Sequence, residues 1–242
     1  VTPLYEEICI RKNNEPIIID SIAEQGHEFW ESVSDITGTA IPLYYAIKVM
    51  NKDINKTGIK LTEEIAHVNI LRLANFHKCN IDNSFYKLNQ IKKYNWLSRE
   101  QLDRCVERVQ SLADQGIISP EGEFGKYIEC TTTVHNYRCT ILGEMDYVDN
   151  QSVVEFKCVK NLETEHMIQL LLYKFINETN DVHYDNYYLY NVLDDQLYSL
   201  HCTYENLENI ISKLIQIKFI DEDLLDNDVN FMEHLREEGI TE

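Results

Sequence analysis

Apolar residues fall into helix-period and strand-period segments that alternate along most of the chain, and the switch between the two periods near residue 126 organises the reading. From Ser98 to about residue 113, Leu102, Cys105, Val106, Val109 and Leu112 recur at i, i+3, i+4, i+7 and i+10, the stripe of an amphipathic helix. Ser98-x-x-Gln101 supplies a capping box for it, and Gly116 stands where a C′ glycine would stop it. Residues 62–79 predict an earlier helix, with Thr62 as N-cap, Glu63 and Glu64 in its first turn, and Ile65, Val68, Leu71 and Leu73 as a partial apolar face. Before it, residues 1–60 mix short apolar runs with turn signals at Asn13-Asn14, Gly26 and Gly38, and the order of elements there is open. The stretch 37–42 reads as a turn leading into a helix, because Pro42 suits a first helical turn.

Beyond the polar loop 119–125 the period drops to two. Residues 127–134, 139–145 and 152–158 are rich in β-branched and aromatic residues and are separated by turn signals at His135-Asn136 and Asp149-Asn150, which predicts an antiparallel meander. Residues 163–178 return to helical spacing. Two further strands, 187–192 and 196–202, flank an Asp194-Asp195 turn, and Thr203 caps a last helix through Leu207, Ile210, Ile211, Leu214 and Ile217. The expected fold is α/β: a mixed central sheet flanked by helices, with a mainly helical N-terminal lobe (1–97), a core (98–220) and an acidic tail (221–242).

Composition narrows the picture. The 242 residues are 44% hydrophobic, enough for a full core, and no apolar run approaches the ~20 residues that cross a bilayer, so no membrane partner is expected. The chain starts at Val1 with no initiator Met, no basic n-region and no apolar h-region, which predicts a non-secreted chain cut from a longer polypeptide. Seven scattered cysteines without a CxxC pair fit free thiols in an intracellular protein. The net charge of −19 changes the picture most. Nine acids and one base lie in 221–242 alone. Nucleic-acid affinity normally draws on the opposite sign, so any such function calls for a locally basic groove or a tethered partner.

The candidate chemistry lies in residues 143–173. Asp146 follows one predicted strand, Glu155-x-Lys157 occupies the next, and Gln169 and Tyr173 sit at i, i+4 on the following helix with His166 one turn earlier. Period two points Glu155 and Lys157 to one face and Phe156 to the core. Paired strands joined by the Asp149-Asn150 turn bring both carboxylates together. Hard divalent ions want oxygen ligands, and phosphodiester hydrolysis needs a shielded dianionic transition state, an activated water and a stabilised leaving oxygen, all of which Mg²⁺ or Mn²⁺ supplies. Singly, each element has an ordinary reading: an acid-x-Lys on a strand is most often a solvated face, His166 a capping residue, Cys158 a small buried hydrophobe. Lys87, Lys92 and Lys93 interleave with Tyr86, Tyr94 and Trp96, a pattern that grips a strand by charge and stacking or places the aromatics in the core.

Taken in order, Ile128-Glu129, Gly143-Glu-Met-Asp146, Val154-Glu-Phe-Lys157 and Gln169-Leu-Leu-Leu-Tyr173 resemble the PD-(D/E)XK nuclease superfamily, in its RecB-like branch. The likeness covers about a quarter of the chain. The string EFKCVKNLETEHMIQLLLY is similar to the nuclease domain at the C-terminal end of UvrD-like superfamily 1 helicases of large DNA viruses. The resemblance implies a restriction-endonuclease-like core. It implies a Mg²⁺- or Mn²⁺-dependent deoxyribonuclease with Asp146, Glu155 and the Phe156 carbonyl on the metal, Lys157 as catalytic lysine, and Gln169 and Tyr173 positioning DNA. It further implies a helicase in the same or another polypeptide and a place in the cytoplasm, the nucleus or a virus factory. Relatives add a histidine from an upstream helix; His67 and His77 are available, with Glu107 and Glu129 as other upstream candidates. No iron–sulfur cluster is expected, since only Cys202 follows the Gln-x-x-x-Tyr helix. Two rivals stay open: a cap-snatching-type RNA endonuclease, and a non-catalytic module that keeps the fold for docking.

Overall fold

The computed structural model describes residues 4–8, 15–19, 30–53, 57–81, 83–85, 88, 91, 93–134 and 136–219, without the side chains of 30–32. Among these residues, six strands and five helices form an α/β fold: β1 (Tyr5–Ile8), α1 (Trp30–Lys48), α2 (Ala66–Ile81), α3 (Arg99–Asp114), β2 (Glu123–Val134), β3 (Tyr137–Val148), β4 (Ser152–Lys157), α4 (Thr164–Thr179), β5 (Asn186–Asn191), β6 (Gln196–Leu200) and α5 (Tyr204–Phe219). The strands make one mixed sheet in the order β1-β6-β5-β4-β3-β2. Only β4 and β5 run parallel, joined through α4, and the arrangement is compatible with a restriction-endonuclease-like core. Among the described residues, no helix is long and apolar enough to cross a membrane. Asn13-Asn14, Gly26, Tyr86, Lys87, Lys92, His135 and the tail 221–242 lie outside the described residues.

Two apolar cores sandwich the sheet. On one side Ile36, Ile41 and Tyr45 of α1, Ile70 and Leu71 of α2, and Leu102, Cys105 and Val109 of α3 meet Val154, Phe156 and Tyr190 of the strands. On the other, Leu170, Phe175 and Ile176 of α4 and Leu207 and Ile211 of α5 meet Met145, Val153 and Leu189. β4 therefore sends Val154 and Phe156 one way and Val153, Glu155 and Lys157 the other, as period two requires. At roughly 25 cal/mol per Å² of apolar area removed from water, this double burial is what holds the central strand between two helical layers.

The local signals explain most boundaries. Ser98 and Gln101 form the reciprocal capping box at the head of α3, and Gly116 at φ 73° follows its end. The Asp149 Oδ1 atom accepts from the amides of Gln151 (2.9 Å) and Ser152 (2.8 Å), closing the β3–β4 turn.

Three expectations change. Residues 37–42 are not a turn: they lie inside α1, with Pro42 in the helix interior. Burial of Ile36, Ala40, Ile41, Tyr44 and Tyr45 outweighs the one backbone bond that a proline removes. The helix read over 62–79 starts later, at Ala66, after a turn in which Ile65 N–H bonds the Thr62 carbonyl. Asp146 lies within β3 rather than after it, because Tyr147 and Phe124, in edge contact at 5.1 Å, carry the β2–β3 pairing on into the α1–α3 core. Strand β1, pairing antiparallel with β6, had no sequence signal strong enough to announce it.

The sheet opens where the site forms. Gly125, at φ 71°, lies across from Asp146 in a register that pairs Phe124 with Tyr147 and Lys126 with Met145. Residues of one parity change cores there: Tyr147 joins the α1–α3 side and Met145 the α4–α5 side. β3 and β4 pair at Tyr147–Val154 and Val148–Val153. At the next step the Phe156 amide donates to the Asp146 carboxylate (2.8 Å).

Candidate active site

At this fork lies a cavity of about 650 Å³. Its walls come from α1 (Asp35, Gly38, Pro42), α2 (His77, Lys78), β3 (Gly143, Glu144, Asp146), β4 (Glu155, Lys157) and α4 (His166, Gln169, Tyr173). The acid-x-Lys strand and the Gln-x-x-x-Tyr helix thus meet, as the spacing predicts.

A chain of hydrogen bonds crosses it. Lys157 Nζ donates to Glu155 Oε1 (2.8 Å) and to Gln169 Oε1 (2.6 Å); Gln169 Nε2 donates to the Tyr173 hydroxyl (2.7 Å), which donates to the Glu144 carbonyl (2.7 Å). The resemblance implies that Gln169 and Tyr173 position substrate. Both line the cavity, Gln169 half-buried and Tyr173 buried, and these bonds tie Lys157 to β3. Gly143 is required by this packing: a Cβ there would stand 2.8 Å from Tyr173 Cε1.

The electrostatics are unusual for a fold's interior. Glu155 is 2% exposed, and its Oε2 is buried without a hydrogen-bond partner. Burial, and then the neighbouring Glu155 charge, push the Asp146 carboxyl well above the usual range, against the opposing pull of Lys157 and the Phe156 amide; the two carboxyls lie within hydrogen-bonding reach. Burial alone would lower Lys157, but Glu155 and Asp146 outweigh it and hold the ammonium above its ordinary value. A buried carboxylate oxygen without a donor is costly, and at Glu155 Oε2 that cost is relieved by a proton shared with Asp146 or by a group that enters the cavity.

The other candidates separate by place. His67, in the first turn of α2, does not line the cavity, whereas His77, ten residues or about 15 Å further along the helix, does. His77 Nε2 faces Glu144 Oε1 at 3.4 Å. Glu107 is exposed on α3 and outside the cavity wall, and Glu129 is exposed on β2 with its carboxylate by the Tyr127 hydroxyl (3.3 Å). Tyr94 packs on Trp96 at 5.4 Å and takes a bond from Asn75 (2.7 Å), while the Trp96 indole donates to Thr37. These aromatics are core, and neither Tyr94 nor the exposed Lys93 reaches the cavity. His166 Nδ1 accepts from the Glu163 amide (2.9 Å), the capping role; burial, then the Lys157 charge, lower its pKa and keep it neutral. Sequence reasoning missed Glu144, the Asp35–Lys78 pair (3.0 Å) and the whole contribution of α1, whose only sequence signal was a glycine and a proline inside an apolar stretch.

Among the described residues, no group of three or more His, Cys, Asp and Glu side chains is placed to hold a metal. Two carboxylates remain, and Phe156 lines the same cavity. That set still suits Mg²⁺, which is commonly held by one or two carboxylates and keeps several waters, and the bare Glu155 Oε2 is the oxygen such an ion would use. No family model, curated protein or solved structure matches this chain.

Proposed function

We propose that this cavity hydrolyses phosphodiester bonds of DNA with the help of Mg²⁺ or Mn²⁺. The observation that carries the reading is the buried Asp146–Glu155 pair, one oxygen of it without a donor, set beside a lysine in an open cavity. The ion would be held by Asp146, Glu155 and the Phe156 carbonyl, and when bound it supplies charge neutralisation and a more acidic water. Lys157 contributes a fixed cation: its bonds to Glu155 and Gln169 use two of three ammonium hydrogens, leaving one for a non-bridging phosphate oxygen. Gln169 and Tyr173 keep that ammonium from swinging away and tie it to the main chain at Glu144. A preorganised donor of this kind costs no reorganisation as charge develops.

The charge of −19 argues that DNA affinity comes largely from elsewhere, so the reading includes a helicase or similar partner, in the same or another polypeptide, that delivers the strand. The test is cleavage of single-stranded DNA, duplex DNA and RNA by the purified chain with Mn²⁺, beside Lys157→Ala. DNA cleavage lost in the variant supports the reading. Preference for RNA replaces it with the endonuclease rival, and activity no higher than that of the variant on any substrate leaves the docking module.

A further inference from the structure

Helix α1 brings the cavity a group that no motif marks. Pro42 sits inside the helix and has no amide hydrogen, so the carbonyl of Gly38 lacks its i+4 donor. Gly38 and Pro42 both line the cavity. A Cβ built on Gly38 would stand 3.9 Å from the Phe156 carbonyl oxygen, which puts this turn of α1 against the segment of β4 between Glu155 and Lys157. Helix carbonyls point toward the C-terminal end, here from Gly38 toward Pro42 along the cavity wall.

Such a vacancy has a cost. A proline in a helix interior is strongly unfavourable and leaves the carbonyl four residues earlier without its regular helical donor. On a solvated face water would serve without consequence. In a cavity that already holds a bare carboxylate oxygen and offers two side-chain ligands rather than three, the oxygen meets a specific need.

We infer that the Gly38 carbonyl, released by Pro42, would serve the divalent cation proposed above from the α1 wall of the cavity, by accepting a hydrogen bond from a water that the ion holds. Pro42 is then a positioning residue: it acts on the ion only by withholding a hydrogen bond from Gly38. The inference rests on the cation reading of the same site, and it adds that α1, outside every recognised motif, completes the shell.

Pro42→Ala restores the amide and lets Gly38 close its helical bond. Calorimetric titration with Mn²⁺, thermal melting in chelator and hydrogen exchange of the amide that the substitution creates together test the assignment. The expected result is about a tenfold weaker Mn²⁺ affinity, the size of loss usual when an outer-shell partner is removed, with a melting temperature raised by several degrees and protection of the new amide from exchange. A merely structural proline would move the melting temperature and leave Mn²⁺ affinity alone, and that result overturns the inference while sparing the cation reading. Should wild type bind no Mn²⁺ in a manner that depends on Asp146 and Glu155, the cation reading falls and takes this one with it.

Discussion

Replacing Gly143 with alanine tests the link between packing and chemistry. The added methyl would stand 2.8 Å from Tyr173 Cε1, 3.5 Å from Cδ1 and 3.9 Å from Cζ, so the ring must retreat by more than half an ångström at its nearest atom. It has little room: Tyr173 is buried in the same cluster as Leu170, Ile176 and Met145, and its hydroxyl is engaged on both sides. Overpacking of this kind costs about 1–3 kcal/mol, which for a chain of this size lowers the melting temperature by roughly 2–12 °C. Tilting the ring also strains the Tyr173–Gln169–Lys157 chain, and a misplaced lysine is expected to slow cleavage about tenfold. Melting and cleavage are measured for Gly143→Ala, for Tyr173→Val and for the double variant. If the ring is the cause, the alanine costs stability only while the tyrosine is present, a coupling that a double-mutant cycle isolates. An equal penalty on both backgrounds, or a Gly143→Ala protein that melts and cuts like wild type, would refute the reasoning.

Other outcomes follow from the same geometry. Lys157→Met removes the partner of the buried Glu155 carboxylate; cleavage should fall at least ~100-fold by the loss of a preorganised charge donor, with a lower melting temperature in chelator. Asp146 keeps its proton in the folded state to higher pH than in the unfolded chain, where it ionises near ~3.9. The unfolded state therefore binds fewer protons above about pH 4, and stability should fall as pH rises through the elevated pKa. Asp146→Asn should abolish that slope and melt higher than wild type at pH 7.5 in chelator; the comparison is a set of denaturation curves from pH 4.5 to 8. Ser98→Ala should cost about 1 kcal/mol through the lost α3 cap and leave Mn²⁺ binding unchanged, read by urea unfolding and titration.

How far the sequence reached depended on whether a signal was local. The capping box of α3, the Asp149 turn, the shared face of Glu155 and Lys157, and the i, i+4 pair on α4 are set within a few residues of each other, and all are present. Which way the Gln169–Tyr173 face points was not local. It depends on α4 crossing over the β3–β4 fork, and the fork depends on a left-handed Gly125 far from it in the chain. The α2 histidine was ambiguous for a similar reason: His67 and His77 share a helix, and only the packing of its C-terminal end on the cavity distinguishes them. α1 was misread because Pro42 is a genuine turn signal overruled by burial on the sheet. The aromatic stretch around Tyr94 illustrates the reverse error, since stacking residues and core residues have the same composition until their contacts are known.

The central claim is that Asp146 and Glu155 are kept buried together for a cation. The most direct measurement is calorimetric titration of Mn²⁺ into wild type, Asp146→Asn and Glu155→Gln at pH 6 and pH 8. Saturable binding by wild type is expected, tighter at pH 8 because a proton must leave the pair, together with its loss in both variants. Binding that is absent in wild type, or unchanged when either carboxylate is replaced, would contradict the claim.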